Sequence, residues 1–136
     1  MHISKKLKLK NGLEVWVSRL PNTHSVAIDL FIKSGVAYET PDKLGITHLL
    51  EHLIFRELQG FSQRELYFFM ESLGTTLKAV TYRDFLRFYL KVLPENAVNV
   101  TKIFKSILQT HSWSSDAFNA EKAVVKRQVI EDTVYN

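Results

Sequence analysis

The run from Leu44 to Phe55 is nearly all apolar apart from His48, Glu51 and His52. It is far shorter than the roughly 18 to 20 apolar residues of a membrane span. It is also too apolar to lie on a surface, so it predicts a helix buried against other elements. Three polar, titratable side chains inside such a helix each cost about 1 to 3 kcal/mol if left unpartnered. On a helix, His48 and His52 project from one face with Cβ atoms about 5 to 6 Å apart, a span that suits two imidazoles on one tetrahedral zinc. Glu51 sits beside the pair, where a carboxylate could take a proton from a zinc-bound water. The bland alternative is a histidine pair tied to a glutamate in an ordinary core.

The flanking patterns supply a scaffold. Leu7 to Ser18 reads as a hairpin turning at Asn11-Gly12, the strongest short turn signal. Val26 to Lys33 reads as a third strand, followed by Gly35 and a loop at Thr40-Pro41-Asp42. Ser62 or Gln63 opens a second helix that runs through Glu71, with Leu66, Phe69, Met70 and Leu73 on one face and Gly74 as its C-cap. Thr75 to Thr81 and Phe85 to Val92 form a second strand pair. Pro94 starts a helix carrying Val98, Val100, Ile103, Phe104, Ile107 and Leu108. Ser114 or Ser115 caps a last long helix, with Asp116 in its first turn. The expected class is α+β in the order βββ-αα-ββ-αα, a largely antiparallel sheet with helices packed on one face.

The 136 residues suit one domain, and a 46% hydrophobic, 12% aromatic composition can fill a core. With no cysteine, disulfides and thiolate ligands are excluded, so any metal must be held by His, Asp, Glu or their substitutes. The net charge of +4 is mild, and Lys5, Lys6, Lys8 and Lys10 alternate with apolar residues as on a strand with one solvated face. No basic stripe is interleaved with stacking aromatics, so nucleic-acid binding is not expected. Nor is membrane insertion, and the basic N-terminus lacks the apolar stretch of a secretory signal. A cytoplasmic location is expected.

Taken together, several segments resemble one family. Gly45-Ile-Thr-His48-Leu-Leu-Glu51-His52-Leu-Ile-Phe55 resembles the inverted-zincin motif of the pitrilysin/insulinase metallopeptidases, which include the mitochondrial processing peptidases. Glu71-Ser-Leu-Gly74-Thr-Thr-Leu-Lys78-Ala79-Val80-Thr81 is similar to the family's "E..GG..NA.T" strand, and Phe85 to Leu93 to its aromatic-rich successor. Leu9 to Val17 is similar to the opening "LxNGLxV" hairpin. Phe118 to Val125 resembles the helix that supplies the third zinc ligand.

The resemblance implies a zinc endopeptidase acting on unstructured peptides. In it, His48 and His52 are ligands, Glu51 is the base, and Glu121 supports catalysis by orienting the ligands. The third ligand falls by register on Gln128, where the family has glutamate; Glu131 and Asp132, a helical turn on, are the alternatives. A neutral amide lowers affinity and leaves the site more positive. Lys78, where asparagine is common, lies with Ala79 and Val80 on the strand implied to pair with the substrate backbone. Lys78 either favours acidic substrates or is an edge charge that discourages aggregation. Family members are longer, with two or four related units closing around the substrate, and this chain corresponds to the first half to two-thirds of one. A truncated or minimal domain is therefore expected, self-associated or joined to a second pitrilysin-like chain. A different reading is a non-catalytic subunit that binds peptide or a partner.

Overall fold

The computed structural model describes the backbone of residues 3–135 and the side chains of residues 5–130. In chain order the elements are β1 (Ile3–Lys8), β2 (Glu14–Arg19), β3 (Val26–Ile32), α1 (Ile46–Arg56), β4 (Glu57–Leu58), β5 (Phe61–Ser62), α2 (Gln63–Ser72), β6 (Lys78–Thr81), β7 (Leu86–Val92), α3 (Ala97–Ile107) and α4 (Ser115–Tyr135). The class is α+β with antiparallel pairing throughout, as the sequence predicts.

The main sheet has the order β3-β7-β6, which leaves β6 as an edge strand. Strand alternation explains which face is covered. Leu86, Phe88, Leu90 and Val92 of β7 point to one side and are buried, while Arg87, Tyr89 and Lys91 point to the other. The buried side meets Ile54 of α1, Leu66 and Met70 of α2, and Val100, Ile103 and Ile107 of α3 in a single cluster. The hydrophobic faces read from the sequence are thus the faces buried, except that Val98 and Leu108 of the α3 region are exposed.

Two features depart from the expected order. The β1–β2 hairpin pairs in register from Ile3–Arg19 to Lys8–Glu14 but forms its own two-stranded sheet rather than joining the main one. A short hairpin, β4–β5, also stands between α1 and α2, turning at Gly60 with φ 86°. It anchors the long helix: the Trp113 indole N–H donates to the Glu57 carbonyl at 3.1 Å, and the Ser114 amide to the Glu57 carboxylate at 3.3 Å. Ser114 then caps α4 by accepting from the Ala117 amide at 3.2 Å. Among the described residues no helix is long and apolar enough to cross a membrane.

Candidate metal centre

α1 starts without a capping side chain of its own, because its N-cap is Gly45 in the left-handed region with φ 86°. Glu39, six residues upstream, caps it instead. Its two carboxylate oxygens accept from the amides of Gly45 at 2.7 Å and Thr47 at 2.8 Å. Partial burial pushes the Glu39 carboxyl up. The two amides, the Thr47 hydroxyl and the nearby His48 outweigh that and hold it below its ordinary value. The turn fixed in this way carries His48.

His48 and His52 stand one turn apart, and their Nε2 atoms are 3.2 Å from each other. On the other side of its ring, His52 Nδ1 lies 3.1 Å from Glu121 Oε2 of α4. A carboxylate only accepts, so Nδ1 carries the proton, and the Nε2 of a neutral His52 presents a lone pair towards His48. Glu121 is largely shielded, with 12% of its side chain exposed, and Arg56 lies 3.8 Å from its second oxygen. The pair therefore couples residues 69 positions apart in sequence.

Glu51 points to the sheet. The Thr81 hydroxyl at the end of β6 donates to Glu51 Oε2 at 2.5 Å. Lys78, Ala79 and Val80 lie on the same edge strand, with Lys78 exposed and Ala79 and Val80 half-buried. The catalytic carboxylate expected from the sequence and the expected substrate strand are thus joined by one hydrogen bond. Thr81 sits in the motif noted in the sequence, but its role there needs the fold to be seen. Glu39 is a second residue that sequence reasoning passed over, since its partners lie six and eight residues away.

Within residues 121–130 of α4, only Glu121, Val125 and Gln128 are not exposed. Spaced four and seven apart, they form one stripe. That stripe lies along α1, with Glu121 at His52 and the Val125 and Val129 side chains 3.9 Å from where a Cβ on Gly45 would stand. The two helices therefore run antiparallel. Gln128, two turns from Glu121, faces α1 towards its N-terminal end. Gln128 Oε1 is buried with no hydrogen-bond partner, alone in this among the described buried side-chain atoms. Glu131 and Asp132 lie outside the described side chains.

Among the described residues no three His, Cys, Asp or Glu side chains converge as a metal-ligating group. The candidate donors are the two facing imidazole nitrogens of α1 and, on the α4 stripe, the amide oxygen of Gln128. Zinc–nitrogen bonds of about 2.0 to 2.1 Å at a tetrahedral angle put two imidazole nitrogens about 3.3 to 3.4 Å apart. The 3.2 Å between the Nε2 atoms is close to that. A buried carbonyl oxygen without a donor is the other feature that a cation would satisfy. The residues present fit a zinc ion.

A model of the family described as Insulinase (Peptidase family M16) matches residues 14–133. The chain is 31% identical over 122 residues to an uncharacterized zinc protease of Rickettsia bellii, covering 90% of this chain and 30% of that protein. It is 32% identical over 130 residues to the mitochondrial-processing peptidase subunit beta of Saccharomyces cerevisiae, covering 95% and 28%. The crystal structure of a protease from Helicobacter pylori superposes with a TM-score of 0.87 at 27% identity, over 94% of this chain and 31% of that one. The chain spans about three-tenths of the length of each of these proteins.

Proposed function

The chain belongs to the insulinase family of peptidases, and from that premise we propose that it is a zinc-dependent endopeptidase, or the metal-bearing part of one, that cleaves unstructured peptides or precursor segments. His48 and His52 would hold the ion, with Gln128 as the third residue by register. Glu131, whose side chain is outside the described set, is the alternative third ligand. A zinc ion at this place supplies Lewis acidity, bringing the pKa of a bound water towards about 7 and polarising the scissile carbonyl.

The remaining chemistry belongs to the protein. Glu51 accepts a proton from the attacking water and returns it to the amide nitrogen that leaves. The Thr81 hydroxyl occupies one oxygen of that carboxylate and so directs the other. Glu121 keeps the proton of His52 on Nδ1 and the ring in its orientation, the supporting part played by carboxylates behind histidine ligands. The substrate backbone adds to the free edge of β6 beside Lys78, Ala79 and Val80, so that side-chain identity matters less than an extended conformation.

The observation that carries this reading is the pair of facing Nε2 atoms, oriented by Glu121, together with the partnerless Oε1 of Gln128. The test is metal analysis of the purified chain at neutral pH. One zinc per chain is expected in the parent and none in His52→Ala; a metal-free parent would sink the reading. A quenched-peptide assay with Glu51→Gln then separates catalysis from binding, since equal cleavage by parent and variant would remove Glu51 from the mechanism.

Gln128 also favours a second reading, a non-catalytic subunit that binds peptide or a partner chain, because an amide contributes no charge to the metal. Zinc binding without cleavage by any variant would support it. In either case the protein works in the cytoplasm, self-associated or against a second chain of the same family. Exposed Trp16, Leu44, Ile46 and Val98 are apolar surface for such a contact, and a scattering mass equal to the 15.8 kDa monomer would count against self-association.

A further inference from the structure

Gln128 is neutral, so the proposed ligand set, two imidazoles and an amide, brings no negative charge to a dication. The N-terminal end of a helix adds the equivalent of about half a positive charge. His48 occupies the third position of α1, inside that end. A doubly charged ion held there would be disfavoured unless an anion offsets the helix terminus. Glu39 is placed to do this, with both carboxylate oxygens on the helix-start amides, 2.7 Å from that of Gly45 and 2.8 Å from that of Thr47, the residue before His48.

Glu39 is itself held rigidly. It follows the 3-10 turn Val36–Tyr38, with its amide donating to the Val36 carbonyl at 3.2 Å. That turn is fastened to the β6–β7 connection by the Ala37 amide, which donates to the Arg83 carbonyl at 2.7 Å. Gly35 lies so close to this connection that a Cβ would stand 2.6 Å from the carbonyl oxygens of Tyr82 and Arg83. The same connection follows Thr81, the partner of Glu51. Below the helix start, Thr47 is buried with its hydroxyl 3.4 Å from that of Ser34. One carboxylate therefore joins the loop, the strand end that bonds the base, and the turn that carries His48.

We propose that Glu39 is a positioning residue for the metal centre: it fixes the first turn of α1 and cancels the positive helix end beside a bound zinc ion, and so sets the affinity of a site whose third ligand by register is the neutral amide of Gln128. This rests on the zinc reading above. Glu39 touches neither metal nor substrate and acts through the helix.

The test is zinc affinity by chelator competition on the full chain, compared for the parent, Glu39→Gln and Glu39→Asp, with melting of the metal-free proteins measured alongside. Glu39→Gln keeps an oxygen acceptor but loses the charge, and is expected to raise the zinc Kd by about five- to thirtyfold. Glu39→Asp keeps the charge and is expected to stay within about threefold of the parent. A purely structural role predicts lower melting in the metal-free variants with unchanged zinc affinity, and that result overturns the proposal. So does an equal loss of affinity in both variants. If Glu39→Gln does not fold, Glu39→Asp decides alone: a Kd more than about tenfold above the parent's overturns the proposal, and one within threefold supports it. A parent that binds no zinc overturns the metal reading and this inference with it, whereas a parent that binds while Glu39→Gln matches it overturns the inference only.

Discussion

Glu51 has neighbours of two kinds, a histidine on each side in sequence and a threonine hydroxyl from a distant strand. The hydroxyl is the more informative, because it ties the base to the edge where a peptide would add. A hydrogen bond to a charged group contributes about 1.5 to 3 kcal/mol. Thr81→Val keeps the shape and removes the donor, so peptide turnover should fall about ten- to hundredfold with KM nearly unchanged; steady-state kinetics check this. A change confined to KM would mean that Thr81 serves the strand and not the base. Glu51→Gln removes proton acceptance altogether, and turnover should drop by about a hundredfold or more while zinc content stays at the parental level.

At the scale of elements, α2 and the Gly35 loop show how local signals and tertiary constraints divide the work. Ser62 and Glu65 form a capping box, with the Ser62 hydroxyl accepting from the Glu65 amide and the Glu65 carboxylate accepting from the Ser62 amide at 2.8 Å. The Ser62 hydroxyl and amide hold the Glu65 carboxyl below its ordinary 4.5. A lowered folded-state pKa means that the stabilisation is complete above the ordinary value and lost as pH falls through the lower one. Glu65→Ala should therefore melt below the parent at pH 7, with the gap closing on acidification below 4.5. Melts across pH measure it, and a gap that widens in acid would contradict the cap. Gly35→Ala has no such pH dependence. Its Cβ would enter backbone oxygens that cannot move aside, and urea unfolding should show a loss of about 1 to 3 kcal/mol.

These elements also mark what the sequence could carry. Asn11-Gly12, Ser62 and Gly74 announce themselves through chemistry that acts within a few residues; accordingly the first hairpin, the start of α2 and its end, where Gly74 has φ 66°, lie where expected. His48, Glu51 and His52 were legible for the same reason, since one helical turn relates them. The β4–β5 hairpin was not, because strands of two residues are too short to show alternation. Nor was the separation of the first hairpin from the main sheet, which depends on contacts no local pattern encodes. Glu39 and Thr81 act across loops, and only the fold brings them to α1.

For the molecule as a whole, the important fact is how α4 is held. Its 21 residues alternate little between apolar and polar faces, and of residues 121–130 it shields only three. Among the described residues its attachments include the cap and anchor near Ser114, the Val125 and Val129 contacts at Gly45, and the contacts of Glu121 with His52 and Arg56. A helix held on one narrow stripe opens more readily than the α1–α2–α3 core. A zinc ion held by His48 and His52 of α1 and by Gln128 of α4 would add a further attachment along that stripe, and it would bind only the folded arrangement. Ligand binding to the native state alone stabilises by about 2.7 kcal/mol at a hundredfold excess over Kd. For a chain of this size that corresponds to a rise of about 10 °C in Tm. Zinc added at that excess should produce such a rise and slow amide exchange most strongly in α4. In His52→Ala both effects should vanish, whereas Gln128→Ala should keep a weakened rise in Tm but lose most of the protection in α4. Uniform protection across all elements, with none concentrated in α4, would show that the metal does not bridge the two helices.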